Sequence, residues 1–253
     1  MRRASSRGFP LRTARALSAA LLLVCAARGS AAELRISWDA SVAFEWDRAT
    51  YERTLRELVA RSDAEVAGWL GFARTRPLEL RVMTKAGYEQ AFGSGMAWNT
   101  GAHYARGAIH VNGGARLDGW FTGMLTHELT HAYLDDLGTG HRFPSWLNEG
   151  LAERLGYRTR GQEGLTTGQV QELEIALQER RLVPLSGASG RFKYLQGFAA
   201  VLFLEKKVGK ETVLAVVRRT MRQGSFEEAL DGELRWTMKD LDDGFARWVD
   251  HLQ

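Results

Sequence analysis

The spacing of apolar positions divides the chain into two regimes. Between Asp47 and Phe72, Tyr51, Leu55, Leu58, Val59, Val66 and Leu70 recur at helical intervals and predict one long amphipathic helix. On either side of it, Leu34–Trp38 reads as a short strand and Leu78–Met83 alternates as a second strand after Pro77. A short helix over Lys85–Phe92 follows. Met96–Tyr104 and Ala108–Asn112 then pattern as a hairpin turning at Arg106-Gly107.

From Leu117 the period becomes helical throughout, with helices expected near 117–137, 145–156, 167–182, 191–208, 210–222 and 238–252, punctuated by glycine and proline. The last of these carries Leu241, Phe245, Trp248 and Leu252 as a stripe that closes the helical part. Trp120, Trp146 and Trp248 fall at helical positions suited to packing and are expected in the core. The fold class is therefore α+β: one domain over 33–253, with a small mixed sheet lobe over 33–115 and a helical lobe over 116–253.

The first 32 residues follow another rule. Arg2, Arg3, Arg7, Arg12 and Arg15 precede the apolar run Leu17–Ala27, and Gly29, Ser30, Ala31 and Ala32 follow it, the layout of a cleavable secretory signal. The run is shorter than the roughly 20 apolar residues of a bilayer-spanning helix, so no transmembrane segment is expected in the mature chain. Ala4-Ser5-Ser6 after the arginine pair favours Sec export over the twin-arginine route. The expected location is secreted or periplasmic.

Cleavage there changes the charge picture. The full chain has 34 basic and 30 acidic side chains. Losing six arginines leaves 28 against 30, so the basic character belongs to the leader, and no basic stripe remains for nucleic acid. The lone cysteine, Cys25, leaves with it, so neither disulfides nor thiolate metal ligands are expected.

The densest chemistry is His127-Glu128-Leu129-Thr130-His131, which lies inside a predicted helix. Histidines four residues apart leave one helix face, and two imidazoles one turn apart supply two legs of a zinc site without distorting the backbone. A catalytic site needs a third leg and an open position.

Downstream stands Trp146-Leu147-Asn148-Glu149-Gly150-Leu151-Ala152-Glu153. The pairing of these two segments, with seventeen residues between His131 and Glu149, resembles the gluzincin metallopeptidases, including the peptidase-MA-like bacterial family. The resemblance covers roughly 75–253, with its specific motifs confined to 127–153. It implies a zincin-like fold with a cleft between the lobes and one Zn²⁺ held by His127, His131 and Glu149. It places Glu153 as acceptor for the spare N–H of a zinc histidine, and Glu128 as the general base acting on water at the metal.

The resemblance also implies an oxyanion donor from the helical half, for which Tyr194 is the candidate, and an exposed edge strand along the cleft, at Ala108–Asn112, to which a peptide could add. His110 on that strand is then a candidate for lining the substrate groove, ahead of His103 and His141. The implied activity is a zinc peptidase with a peptide or protein substrate. Lack of the segment with which related aminopeptidases grip a free amine favours an endopeptidase. An inactive zinc-binding module and a zinc amidase acting on cell-wall peptides are the alternatives.

Overall fold

The computed structural model describes residues 33–39, 47–95, 101–136 and 142–252. The leader expected over 1–32, residues 96–100 of the expected hairpin, and His141 lie outside them. Every described strand and helix belongs to one compact unit, Ala31–Gln253.

Among the described residues four strands form one mixed sheet: β1 (Leu34–Trp38), β2 (Leu78–Met83), β3 (Ala102–Ala105) and β4 (Ala108–Asn112), in the order β1-β2-β4-β3. β1, β2 and β4 are parallel, and β3 runs antiparallel to β4. The alternation in β2 is explained by Leu78, Leu80 and Val82, which face the core while Glu79 and Arg81 point away. Arg106 and Gly107 both take positive φ, 52° and 78°, as a two-residue hairpin turn between β3 and β4 requires.

One expectation is corrected by the sheet order. Ala108–Asn112 is not the edge strand: it lies between β2 and β3, with all five residues buried. The edge belongs to β3. The 104–109 pair sits between hydrogen-bonded pairs, one of them marked by the Asn112 N–H to Gly101 carbonyl bond, so the main-chain groups of Ala102 and Tyr104 turn away from β4.

The link from β1 to β2 contains α1 (Arg48–Leu70), opened by Asp47, whose side chain accepts from the Thr50 N–H, and closed by Gly71 at φ 75°. Its buried stripe packs against α3 (Gly119–Asp135), the central helix, which starts at an Asp118 cap. α2 (Lys85–Phe92) sits beside β2 and β4. Then come α4 (Ser145–Thr159), α5 (Thr167–Gln178), α6 (Phe192–Val208), α7 (Lys210–Gln223), α8 (Phe226–Leu234) and α9 (Met238–Val249).

The helical half departs from the sequence pattern in two places. α8 is unexpected: its nine residues bury only Phe226, Ala229 and Leu230, too few repeats to register as periodic. Trp120 is half exposed in the first turn of α3, whereas Trp146 is fully buried, so the expectation of a core Trp120 is overturned. Among the described residues no helix is long and apolar enough to cross a membrane.

What brings α3, α4 and α6 together is missing side chains. A Cβ at Gly150 would collide with the Gly197 carbonyl oxygen, and one at Gly197 with that of Trp146, so α4 and α6 cross backbone to backbone. On the other side, a Cβ at Gly156 would lie 2.8 Å from the Gly123 oxygen of α3. Buried Arg154 adds an ion pair from α4 to Glu205 of α6 at 3.1 Å. α4 is thus held on both flanks, with Glu149 facing α3.

Candidate metal centre

His127 and His131, one turn apart on α3, bring their Nε2 atoms to 3.0 Å of each other. Glu149 Oε2 on α4 stands 3.5 Å from the first and 3.4 Å from the second. These three separations are those of ligands sharing a tetrahedral zinc ion, whose ligand-to-ligand edge is about 3.3 Å for bonds of about 2.0–2.1 Å. Glu149 Oε2 is also buried without a hydrogen-bond donor. A carboxylate oxygen in that state is costly unless a cation completes it, so the donor set fits a metal.

The backs of the ligands are occupied. His131 Nδ1 lies 2.8 Å from Asn148 Oδ1, and His127 Nδ1 faces Glu153 Oε1 at 3.5 Å. Because each acceptor draws the proton of a neutral ring to Nδ1, the two rings, once neutral, present both Nε2 lone pairs to the common point. Lys193 Nζ donates to Glu149 Oε1 at 3.0 Å, leaving Oε2 as the free oxygen. Sequence reasoning misses Asn148 and Lys193. The one signal for Asn148 is its place inside the second motif, and for Lys193 its place beside Tyr194.

Charge follows this packing. Burial works to raise the Glu149 carboxyl, but the His127 and His131 rings prevail and hold it well below the usual carboxylate range. Burial works to lower His127, but Glu149, Glu128 and Glu153 outweigh it and push the imidazole up to about 9. The metal-free centre therefore holds a proton on His127 that a bound cation would displace.

Glu128 also lies within reach of the two imidazoles, with all three donor atoms inside 4.8 Å. Its Oε2 accepts the Tyr104 N–H at 2.6 Å, from the free edge of β3. Tyr104 is in turn anchored by its hydroxyl, which donates to Asp135 at 2.7 Å. Held by the strand, and farther from both Nε2 atoms than Glu149, Glu128 sits beside the ligand triangle instead of forming its third corner.

These groups line a cleft of ≈ 490 Å³ between β3, α3 and α4. Tyr194 stands in its wall, with its ring stacked on His127 at 6.5 Å between centroids. Burial and the carboxylates nearby raise its phenol. The expectation for His110 is corrected: it is buried against Phe92 outside the cleft, because β4 is an inner strand. Its cross-strand partner His103 lines the cleft instead, with Nδ1 2.9 Å from the Tyr88 hydroxyl.

The arrangement can hold one divalent cation by two neutral imidazoles and a carboxylate, with a second carboxylate free for proton transfer beside it. No protein-family model matches the chain, and no curated protein or solved structure does either, so the meaning of this centre rests on its own geometry.

Proposed function

We propose that this chain is a zinc-dependent peptidase of the gluzincin kind, an endopeptidase acting on an extracytoplasmic protein or peptide. One observation carries the reading: His127, His131 and Glu149 form a ligand triangle, and a fourth group, Glu128, sits beside it held by a hydrogen bond from the strand. A purely structural metal site has no need of that carboxylate.

When bound, Zn²⁺ supplies Lewis acidity, acidifying water and polarising a carbonyl. The protein's own residues do the rest. Glu128 takes the proton of the attacking water and passes it to the departing amine, while the Tyr104 N–H keeps its carboxylate aimed. The Tyr194 hydroxyl, in the wall of the same cleft with its ring against His127, would donate to the oxyanion that develops as the amide is attacked. The edge strand β3 borders the cleft at His103 and Tyr104, so an extended substrate would lie alongside it.

The arginine-rich stretch and apolar run at the start of the chain support export to an extracytoplasmic compartment. The test is casein hydrolysis by the purified protein, before and after chelation and after zinc is restored. Activity that disappears with the chelator and returns with zinc, and that is absent in Glu128→Gln, supports a peptidase. A protein that binds zinc tightly yet cleaves neither casein nor cell-wall peptides is a binding module.

A further inference from the structure

The cleft does not end at the metal centre. Trp120 and Arg160 line it, and the same two residues line a second and larger cavity of ≈ 820 Å³ that continues past Arg61, Glu65 and Arg158. Trp120, half exposed at this junction, is a large apolar surface with no core role.

Arg160 is brought there by a specific device. Its stem crosses α3 at Gly123, where a Cβ would lie 2.6 Å from Arg160 Cδ and 2.8 Å from Nε. Gly123 is one turn before His127 on the same face of the helix. The guanidinium also sits over the Tyr157 ring, 4.7 Å from its centroid. Two contacts thus set a long side chain against the wall of the metal cleft.

The metal cleft itself carries Glu128, Glu149 and Glu153, whereas on the outer side of Arg160 the carboxylates are engaged by other arginines. Glu65 is taken by Arg158 at 2.6 Å, and Glu163, on the rim, by Arg154 at 3.0 Å. Among the described residues neither Arg160 nor Arg61 has a carboxylate partner. A groove with one exposed tryptophan and two uncompensated guanidinium groups complements an acidic peptide segment.

Resting on the peptidase reading, we propose that Arg160, with Trp120 as the apolar surface beside it and Arg61 farther out, forms a substrate subsite that selects an aspartate or glutamate side chain near the scissile bond.

Cleavage-site profiling of the zinc-loaded protein on a proteome-derived peptide library tests this. The expected result is enrichment of Asp and Glu over Asn and Gln at one position near the cleaved bond, on the order of fivefold, the upper range for a partly solvated ion pair. Arg160→Gln should erase that enrichment, Arg160→Lys should keep most of it, and Arg160→Glu should shift the position toward Lys and Arg. Zinc content and thermal midpoint, followed in parallel, identify any variant that fails to fold, and the Lys–Glu comparison then decides. Cleavage by the wild type without an acidic preference, or a preference that survives Arg160→Glu, overturns the subsite while leaving the peptidase intact. No cleavage at all overturns both.

Discussion

Lys193 on α6 donates to one oxygen of Glu149 on α4 and leaves the other oxygen to face the two histidines. The carboxylate is thereby split into a structural half and a ligand half. The prediction is that Lys193→Met weakens zinc binding by about tenfold or more, the range for loss of a group supporting a metal ligand. Competition against a chelator measures it. In the Co²⁺-substituted variant, a freed Glu149 that turns both oxygens to the metal raises the coordination number, so the visible absorption should weaken. Lys193→Arg should restore both readouts. An unchanged affinity would show that the ion pair is incidental.

Asn148 supports the other side of the triangle by accepting from His131 Nδ1. Asn148→Ala should lower zinc affinity by roughly 10–100-fold with little change in the thermal midpoint of the metal-free protein. A variant with full affinity would mean that the ring needs no such acceptor.

The helix crossing under the site is set by glycines. Gly197→Ala puts a methyl against the Trp146 carbonyl oxygen and must push α6 from α4, at a cost of about 1–3 kcal/mol or more. Because Glu149 rides on α4, zinc affinity should fall together with stability. Calorimetric unfolding, with and without zinc, separates the two losses. If the alanine variant matches wild type in both, the helices do not cross this closely.

His127 makes binding pH-dependent with a definite sign. Its pKa in the metal-free fold, about 9, is raised above the ordinary value near 6.5, so it is protonated at pH 7. Its contribution to the metal-free fold is full below about pH 6.5 and is lost as pH rises through about 9. Zinc must expel that proton, so titration at pH 7 should release about one proton from this ring, and none from it well above pH 9. Calorimetry in two buffers of different ionisation enthalpy reads the difference. Equal heats at pH 7 would contradict the raised pKa.

Sequence and structure agree where periodicity is strong. The stripe from Tyr51 to Leu70 marks α1, and alternation marks β2 to the residue, because burial on one face writes itself into apolar spacing. Adjacency of strands does not, which is why the expectations of an edge at β4 and of His110 in the cleft both fail. Five buried positions in a row fit an inner strand, but order in a sheet is a tertiary fact. The site is legible in its parts from His127 to Glu153, because short spacings fix faces of helices. Lys193 and Arg160 are not, since each meets the centre only through the glycine-mediated crossings of α6 and α3 with α4.

On the proposed function, His127, His131 and Glu149 hold a zinc ion that Glu128 serves but does not bind. Zinc per chain, measured by elemental analysis on wild type, Glu149→Ala and Glu128→Gln after identical loading and dialysis, tests it most directly. The expected result is about one zinc in wild type, marked loss in Glu149→Ala, and retention in Glu128→Gln. No zinc in wild type, or loss in Glu128→Gln with retention in Glu149→Ala, would contradict it.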